Sequence, residues 1–186
     1  TSATTVSLFG GTDNDTFNID ARLTGSVDGD AGTDTLQGAL INNVSLTGTG
    51  STDGFDGSEA DVTSGFFNID AVTGNGGTLR GLDAASTWDF AGVSTYTDDG
   101  SSTSLTIDGF ATLQGGLDAD VFNITTSVNF NLKGGAGADE FNLDAALTGS
   151  INGEADTDVL QGSAVDSVTL NSSGVTGFSG NENSIT

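Results

Sequence analysis

Residues 113–160 read LQGGLDADVFNITTSVNFNLKGGAGADEFNLDAALTGSINGEADTDVL. Apolar residues recur from this stretch onward at a fixed interval: Leu113, Leu132, Ile151 and Leu170 stand 19 apart, and so do Phe122, Phe141 and Leu160. Each 19-residue unit therefore carries two apolar anchors. Around such anchors apolar and polar residues alternate, as in Phe17-Asn18-Ile19 and Val44-Ser45-Leu46, which is the period of a half-buried strand. Two short strands joined by turns cannot bury their own apolar side chains and must stack on neighbouring units. The pattern predicts an all-β fold, a parallel β-solenoid with about 19 residues per coil.

A larger repeat contains the small one. Residues 8–50 align with residues 132–174 at an offset of 124, with about half the positions identical. Allowing one deletion near Asp53, Thr1 to Val62 matches Thr125 to Ile185. The chain is thus expected to begin and end inside a repeat. In the first copy the same 19-residue steps are Leu8, Val27 and Leu46, and Phe17, Leu36 and Phe55. The organisation expected is regular coils over residues 1–63, less regular coils with longer loops over 64–112, and regular coils again over 113–186. In the middle region Ile69, Trp88 and Ile107 keep the step, as do Val72, Ala91 and Phe110. Trp88 then falls in the core, Phe17, Phe122 and Phe141 form an inward stack, and Tyr96 is left open to exposure.

The chain has 186 residues and a formal charge of -23, from three Lys and Arg against 26 Asp and Glu. It has no His and no Cys, which excludes Ser-His-Asp and Cys-His nucleophiles, cysteine-ligated zinc and disulfides. The charge repels nucleic acid and anionic membranes, and no apolar run approaches the roughly 20 residues of a membrane-spanning helix. Neither is expected as a partner. Leu, Ile, Val and Phe form roughly a quarter of the chain, enough for a core despite 29 glycines.

One turn of each unit is Gly-rich and ends in Asp. In the first copy the final residues are Asp15, Asp34 and Asp53; in the second they are Asp120, Asp139 and Asp158. Stacking at about 4.8 Å sets each trio in a column. Two carboxylates at that distance repel by about 1 kcal/mol in water and about 3.5 kcal/mol at an effective dielectric near 20. A divalent cation between turns would remove the repulsion, and an all-oxygen ligand set suits Ca²⁺. The alternative is that each Asp caps a turn by hydrogen bonding, with no metal.

GGAGADEFN at residues 134–142 has every fixed position of the GGxGxDxUx nonapeptide of RTX proteins, where U is a large apolar residue. GGTDNDTFN at Gly10 and GGLDADVFN at Gly115 differ only at the third glycine, where Asp13 and Asp118 stand. The chain therefore resembles RTX repeats, and residues 87–124 are similar to the repeats of giant secreted bacterial adhesins, the β-strand-repeat surface proteins. The resemblance implies a right-handed β-roll with Ca²⁺ as cofactor and Asp15, Asp34, Asp53, Asp120, Asp139 and Asp158 as its side-chain ligands. This sequence departs from RTX rolls in having 19 residues per coil rather than 18, and Gly-Asp turns on one side only. The opposite turns, residues 20–25 and 144–149, are expected to be sealed by hydrogen bonds.

These readings predict a non-catalytic, extracellular structural segment of an adhesin, stalk or matrix filament at a bacterial cell surface. Its partners would be further copies of the same repeat, in the same chain or in filament neighbours. The alternative is a module binding extracellular glycans or cell surfaces on the same scaffold. A lyase-type β-helix enzyme would need a basic residue, and Arg22, Arg80 and Lys133 share no repeated position. An ice-binding roll would need a regular Thr or Asn array, whereas one turn column reads Thr12, Ala31 and Gly50.

Overall fold

The computed structural model describes residues 5–173 and 177–186; Thr1 and Gly174, at the limits of the aligned copies, lie outside them. Among the described residues the fold is all-β, with no helix. In chain order the first strands are β1 (Leu8–Gly11), β2 (Thr16–Asn18), β3 (Val27–Asp30), β4 (Thr35–Gln37), β5 (Val44–Thr49), β6 (Phe55–Glu59) and β7 (Val62–Ile69). The middle contributes β8 (Ala71–Thr73), β9 (Thr78–Arg80), β10 (Ser86–Ala91), β11 (Val93–Asp98) and β12 (Thr103–Asp108). The remainder are β13 (Thr112–Gln114), β14 (Asp120–Ile124), β15 (Val128–Gly135), β16 (Glu140–Leu143), β17 (Leu147–Glu154), β18 (Val159–Gln161), β19 (Thr169–Ser173) and β20 (Phe178–Asn181).

Two nine-stranded sheets result. The first has the order β1-β3-β7-β6-β5-β9-β13-β15-β17 and the second β2-β4-β8-β12-β11-β10-β14-β16-β18. β19 and β20 form a separate antiparallel pair. The chain alternates between the two large sheets, and near both ends it does so in 19-residue steps. Leu113, Leu132 and Ile151 are paired across successive parallel strands, as are Phe122, Phe141 and Leu160. Leu8 pairs with Val27, and Phe17 with Leu36.

Between the ends the step fails, and the reason is local turn chemistry. Gly54, at φ 55, closes a tight turn in which the Gly50 N–H donates to the Gly54 carbonyl at 3.0 Å, so β6 runs back along β5. β7 then reverses again and takes the place beside β3 that β5 was expected to hold. Leu46 is therefore separated from Val27 by two strands, and Phe55 lies in the first sheet rather than above Leu36, whose partner is Val72. A second meander, β10-β11-β12, interrupts the other sheet: Gly92 at φ 98 makes its first turn, and Asp98 caps Gly100 and Ser101 at its second. Ile69, in the first sheet, shares no column with Trp88 and Ile107, in the second. The antiparallel insertions replace the expected long loops, and the first begins at Val44, well before residue 64. Leu170 also leaves its column, pairing with Gly180 in β19-β20 at 60% exposure.

The core lies between the sheets and is aromatic in its centre. Trp88 stacks on Phe122 at 5.5 Å and 9°, and Phe122 on Phe141 at 4.8 Å and 13°. Tyr96 meets the other side of Trp88 edge-on at 4.7 Å. Tyr96 is fully buried, contrary to the exposure open to it from sequence, because the β10-β11 hairpin pairs it with Trp88. Its hydroxyl accepts the Leu82 N–H at 3.0 Å, and burial pushes its pKa up to about 12. Each such ring contact contributes about 0.5–1.5 kcal/mol beyond the area it removes from water.

Candidate metal centre

Five of the Gly-Asp turns share one device. Five residues before Asp15, Asp34, Asp120, Asp139 and Asp158 stands a glycine whose missing Cβ gives the carboxylate its room, whereas a Cβ on Gly48, at the same place before Asp53, would have nothing within 4 Å. A Cβ on Gly134 would lie 2.0 Å from the Asp139 Oδ2, and one on Gly153 would lie 1.9 Å from the Asp158 Oδ2. The same holds for Gly10 with Asp15, Gly29 with Asp34 and Gly115 with Asp120. The carboxylates fold inward over their own turns, which is why Asp34, Asp120 and Asp139 are at most 1% exposed. Once inside, one oxygen of each reaches the neighbouring turn. The Asp15 N–H donates to the Asp34 Oδ1 at 2.8 Å, the Asp120 N–H to the Asp139 Oδ1 at 2.8 Å and the Asp139 N–H to the Asp158 Oδ1 at 3.1 Å.

In the first copy three carboxylates converge. Asp34, Asp53 and Asp70 each present an oxygen within 4.8 Å of the others. The Asp34 N–H donates to the Asp70 Oδ2 at 2.9 Å, and the Gly32 N–H to the Asp53 Oδ2 at 3.2 Å. The Asp34 Oδ2 and the Asp53 Oδ1 are buried with no hydrogen-bond partner. Burial chiefly, and then the charges of Asp15, Asp53 and Asp30, hold the Asp34 carboxyl above the usual carboxylate range against the Asp15 amide. Asp70 is raised for the same first reason, with Asp53 and Asp34 adding to it.

Sequence spacing assigned Asp53 to the column of Asp15 and Asp34. The structure stacks Asp70 there instead and brings Asp53 in from the adjoining hairpin turn. Asp70 was missed because it lies 36 residues beyond Asp34; the Asp53-Gly54 dipeptide was the available signal, since a hairpin there displaces the next stacked residue by its own length. Asp15 belongs to the column but not to the converging trio.

The second copy is arranged differently. Asp120 has Ser86 beside it, whose hydroxyl donates to its Oδ1, while the Gly116 N–H donates to its Oδ2 at 2.8 Å. Both oxygens are engaged, and Ser86, 34 residues earlier, closes the column. Burial pushes the pKa of Asp120 to about 6 against the lowering effect of these donors. Asp139 is also pushed to about 6, by burial first and by Asp120, Asp158 and Asp156 after it; its Oδ2 is buried without a partner. Among the described residues, Asp120, Asp139 and Asp158 do not converge as a trio within 4.8 Å.

On the opposite side of the fold the turns are sealed by aspartates of their own. The Asp20 Oδ1 accepts the Ala39 N–H at 2.9 Å, and the Asp144 Oδ1 accepts the Ser163 N–H at 2.7 Å and its hydroxyl at 2.8 Å. Two of the three basic side chains form ion pairs, Arg80 with Asp83 and Lys133 with Glu154.

The residues of the first-copy trio fit a hard divalent cation. All the donors are oxygen, three carboxylates supply more charge than one such ion requires, and two orphaned, buried oxygens are left for it to satisfy. Comparison of the chain with family models, curated proteins and solved structures finds no match.

Proposed function

We propose that the chain is a non-catalytic structural segment, a right-handed parallel β-solenoid of about 19 residues per regular coil, braced by Ca²⁺ between its Gly-Asp turns. Nine strands at about 4.8 Å make a rod roughly 40 Å long. The observation that carries the reading is the pair of unpartnered oxygens, on Asp34 and Asp53, within a trio of carboxylates that repel one another. A bound cation converts that repulsion into a crosslink between β4, the β5-β6 turn and the start of β8. Such a site fits an extracellular setting, where the ion is abundant, and a secreted array of similar repeats fits the 124-residue duplication. The non-catalytic reading rests on the lack of His and Cys in the sequence.

The test is calorimetric. Millimolar Ca²⁺ added to EDTA-treated protein should raise the melting temperature, and the Asp53→Asn variant should lose most of that gain. Equal melting temperatures in Ca²⁺ and EDTA would instead support metal-free turn capping.

A further inference from the structure

The second copy repeats the pairings of the first as far as Ile185. Thr169 pairs with Asn181 and Leu170 with Gly180, as Ser45 pairs with Ser58 and Leu46 with Gly57. The Ser184 N–H donates to the Glu182 Oε2 at 2.7 Å, as the Asp61 N–H donates to Glu59. Leu147 bridges to Ile185 as Leu23 bridges to Val62, with the same pair of backbone hydrogen bonds on each side. In the first copy β7 and β8 then lie along β3 and β4: Val27 pairs with Phe66, and Leu36 with Val72. In the second copy the corresponding edges of β17 and β18 end their sheets. Leu36 is fully buried, whereas its counterpart Leu160 is 36% exposed; Leu46 is 3% exposed and its counterpart Leu170 60%.

We propose that the edges of β17 and β18 are an acceptor for a polypeptide strand with the sequence of residues 64–73, SGFFNIDAVT. This deepens the repeat-array reading, on which the source of the strand rests, and is independent of cation binding. By the order β3-β7-β6 of the first copy, the strand would enter between β17 and β20, opposite Ile151 and Gly180, and then pair with β18. Three features select it. Phe66, Ile69 and Val72 are at most 1% exposed in the first copy, so their counterparts would cover Leu160 and the core end. Gly57 makes room for the Phe66 ring, since a Cβ there would lie 2.2 Å from its tip, and the counterpart position is also a glycine, Gly180, whose added Cβ would instead lie 2.5 Å from the Thr169 carbonyl oxygen. The Asp70 counterpart would accept the Asp158 N–H, as Asp70 accepts that of Asp34. A second intact copy fits less well: its residues 5–7 would need the edge at Leu147 to Gly149 that Ser184 and Thr186 already bond.

The experiment mixes the protein with a labelled peptide of residues 64–73 and reads hydrogen exchange. Amides of residues 151–154 and 159–161 should slow by at least about tenfold, and the Phe66→Asp peptide should bind at least about tenfold more weakly. No slowing, or slowing confined to Val27–Asp30 and Thr35–Gln37 through displacement of β7 and β8, would overturn the proposal. So would a dimer of intact copies that protects the same edge and resists competition by the peptide. As a measurement free of peptide solubility, residues 64–73 fused after Thr186 should slow thiol labelling of a Leu160→Cys variant by at least about tenfold. An unchanged labelling rate would overturn it, even in a protein that Ca²⁺ stabilises.

Discussion

The backbone N–H of Asp34 donates to the carboxylate of Asp70 at 2.9 Å, across 36 residues of chain. One turn away, the Asp15 N–H donates to Asp34 across only 19. The hydrogen bond is the same in kind, so the stacking position outlives the repeat that encodes it. A hairpin that lengthens the path from one turn to the next also delivers Asp53, and a column of single carboxylates becomes a cluster of three.

That cluster predicts a change of sign. Asp70→Asn keeps an oxygen to accept the Asp34 N–H but removes one of three mutually repelling charges. In EDTA the variant should melt higher than the parent; in millimolar Ca²⁺ it should melt lower, because the cation loses a charged ligand. Calorimetry in the two buffers checks both halves, and a variant less stable in both would mean that the Asp70 charge serves another purpose.

The buried column of the second copy sets a pH dependence. Asp120 and Asp139 titrate near 6 in the folded chain against an ordinary 3.8, so between these values the folded state holds more protons than the unfolded one. Their stabilising contribution is complete below about pH 4 and is lost as pH rises through about 6. In EDTA the melting temperature should therefore fall from pH 5 to pH 7.5. Asp139→Asn, which retains an acceptor for the Asp120 N–H, should flatten that slope and raise stability at pH 7.5. Asp144, whose carboxyl is held below the usual range by the Ser163 donors, acts in the opposite sense, its contribution fading only as pH falls through that lowered value.

What was legible from sequence was what repeats. The 19-residue anchors identified the partners of Leu113, Leu132, Phe122 and Phe141, because a parallel stack preserves register for as long as the turns keep their length. Leu46, Phe55 and Ile69 were misassigned because period counting is blind to a reversal of chain direction. The signals of that reversal, Asp53-Gly54 and Asp99-Gly100, were present as turn dipeptides. Five of the six expected ligand residues, all but Asp53, carry the amide-to-carboxylate ladder as donors or acceptors of neighbouring turns. Asp70, which follows the first meander, and Ser86, which precedes the second, complete the two columns and so lay outside any count in steps of 19.

The aromatic ladder assigns the energetic centre. Phe122 lies between Trp88 and Phe141 with no exposure, and Phe122→Ala should destabilise the chain by about 3–5 kcal/mol through the cavity it leaves. Phe9, 67% exposed at the far end, should cost less than about 0.5 kcal/mol on the same change. Trp88, the single tryptophan, reports both in urea unfolding followed by fluorescence. Comparable losses would show that the stacked rings carry no special share of the core.

The glycine beneath the carboxylate in five of the turns gives the most direct test of how they are built. A Cβ on Gly153 would lie 1.9 Å from the Oδ2, 2.4 Å from the Cγ and 2.8 Å from the Cβ of Asp158, so its three nearest neighbours all belong to one side chain. Gly153→Ala must push that carboxylate out of its turn and break its bond to the Asp139 N–H, at an expected cost of about 1–3 kcal/mol. Asp158→Gly alone loses the same bond. The double variant should therefore cost clearly less than the sum of the singles, because the hydrogen bond can be lost only once and the clash has gone. Gly48→Ala, with nothing within 4 Å of the new methyl, is the control and should change little. Strict additivity of the two changes in urea unfolding would mean that Gly153 is required for its backbone, and the link between the first glycine and the last aspartate of the turn would fall.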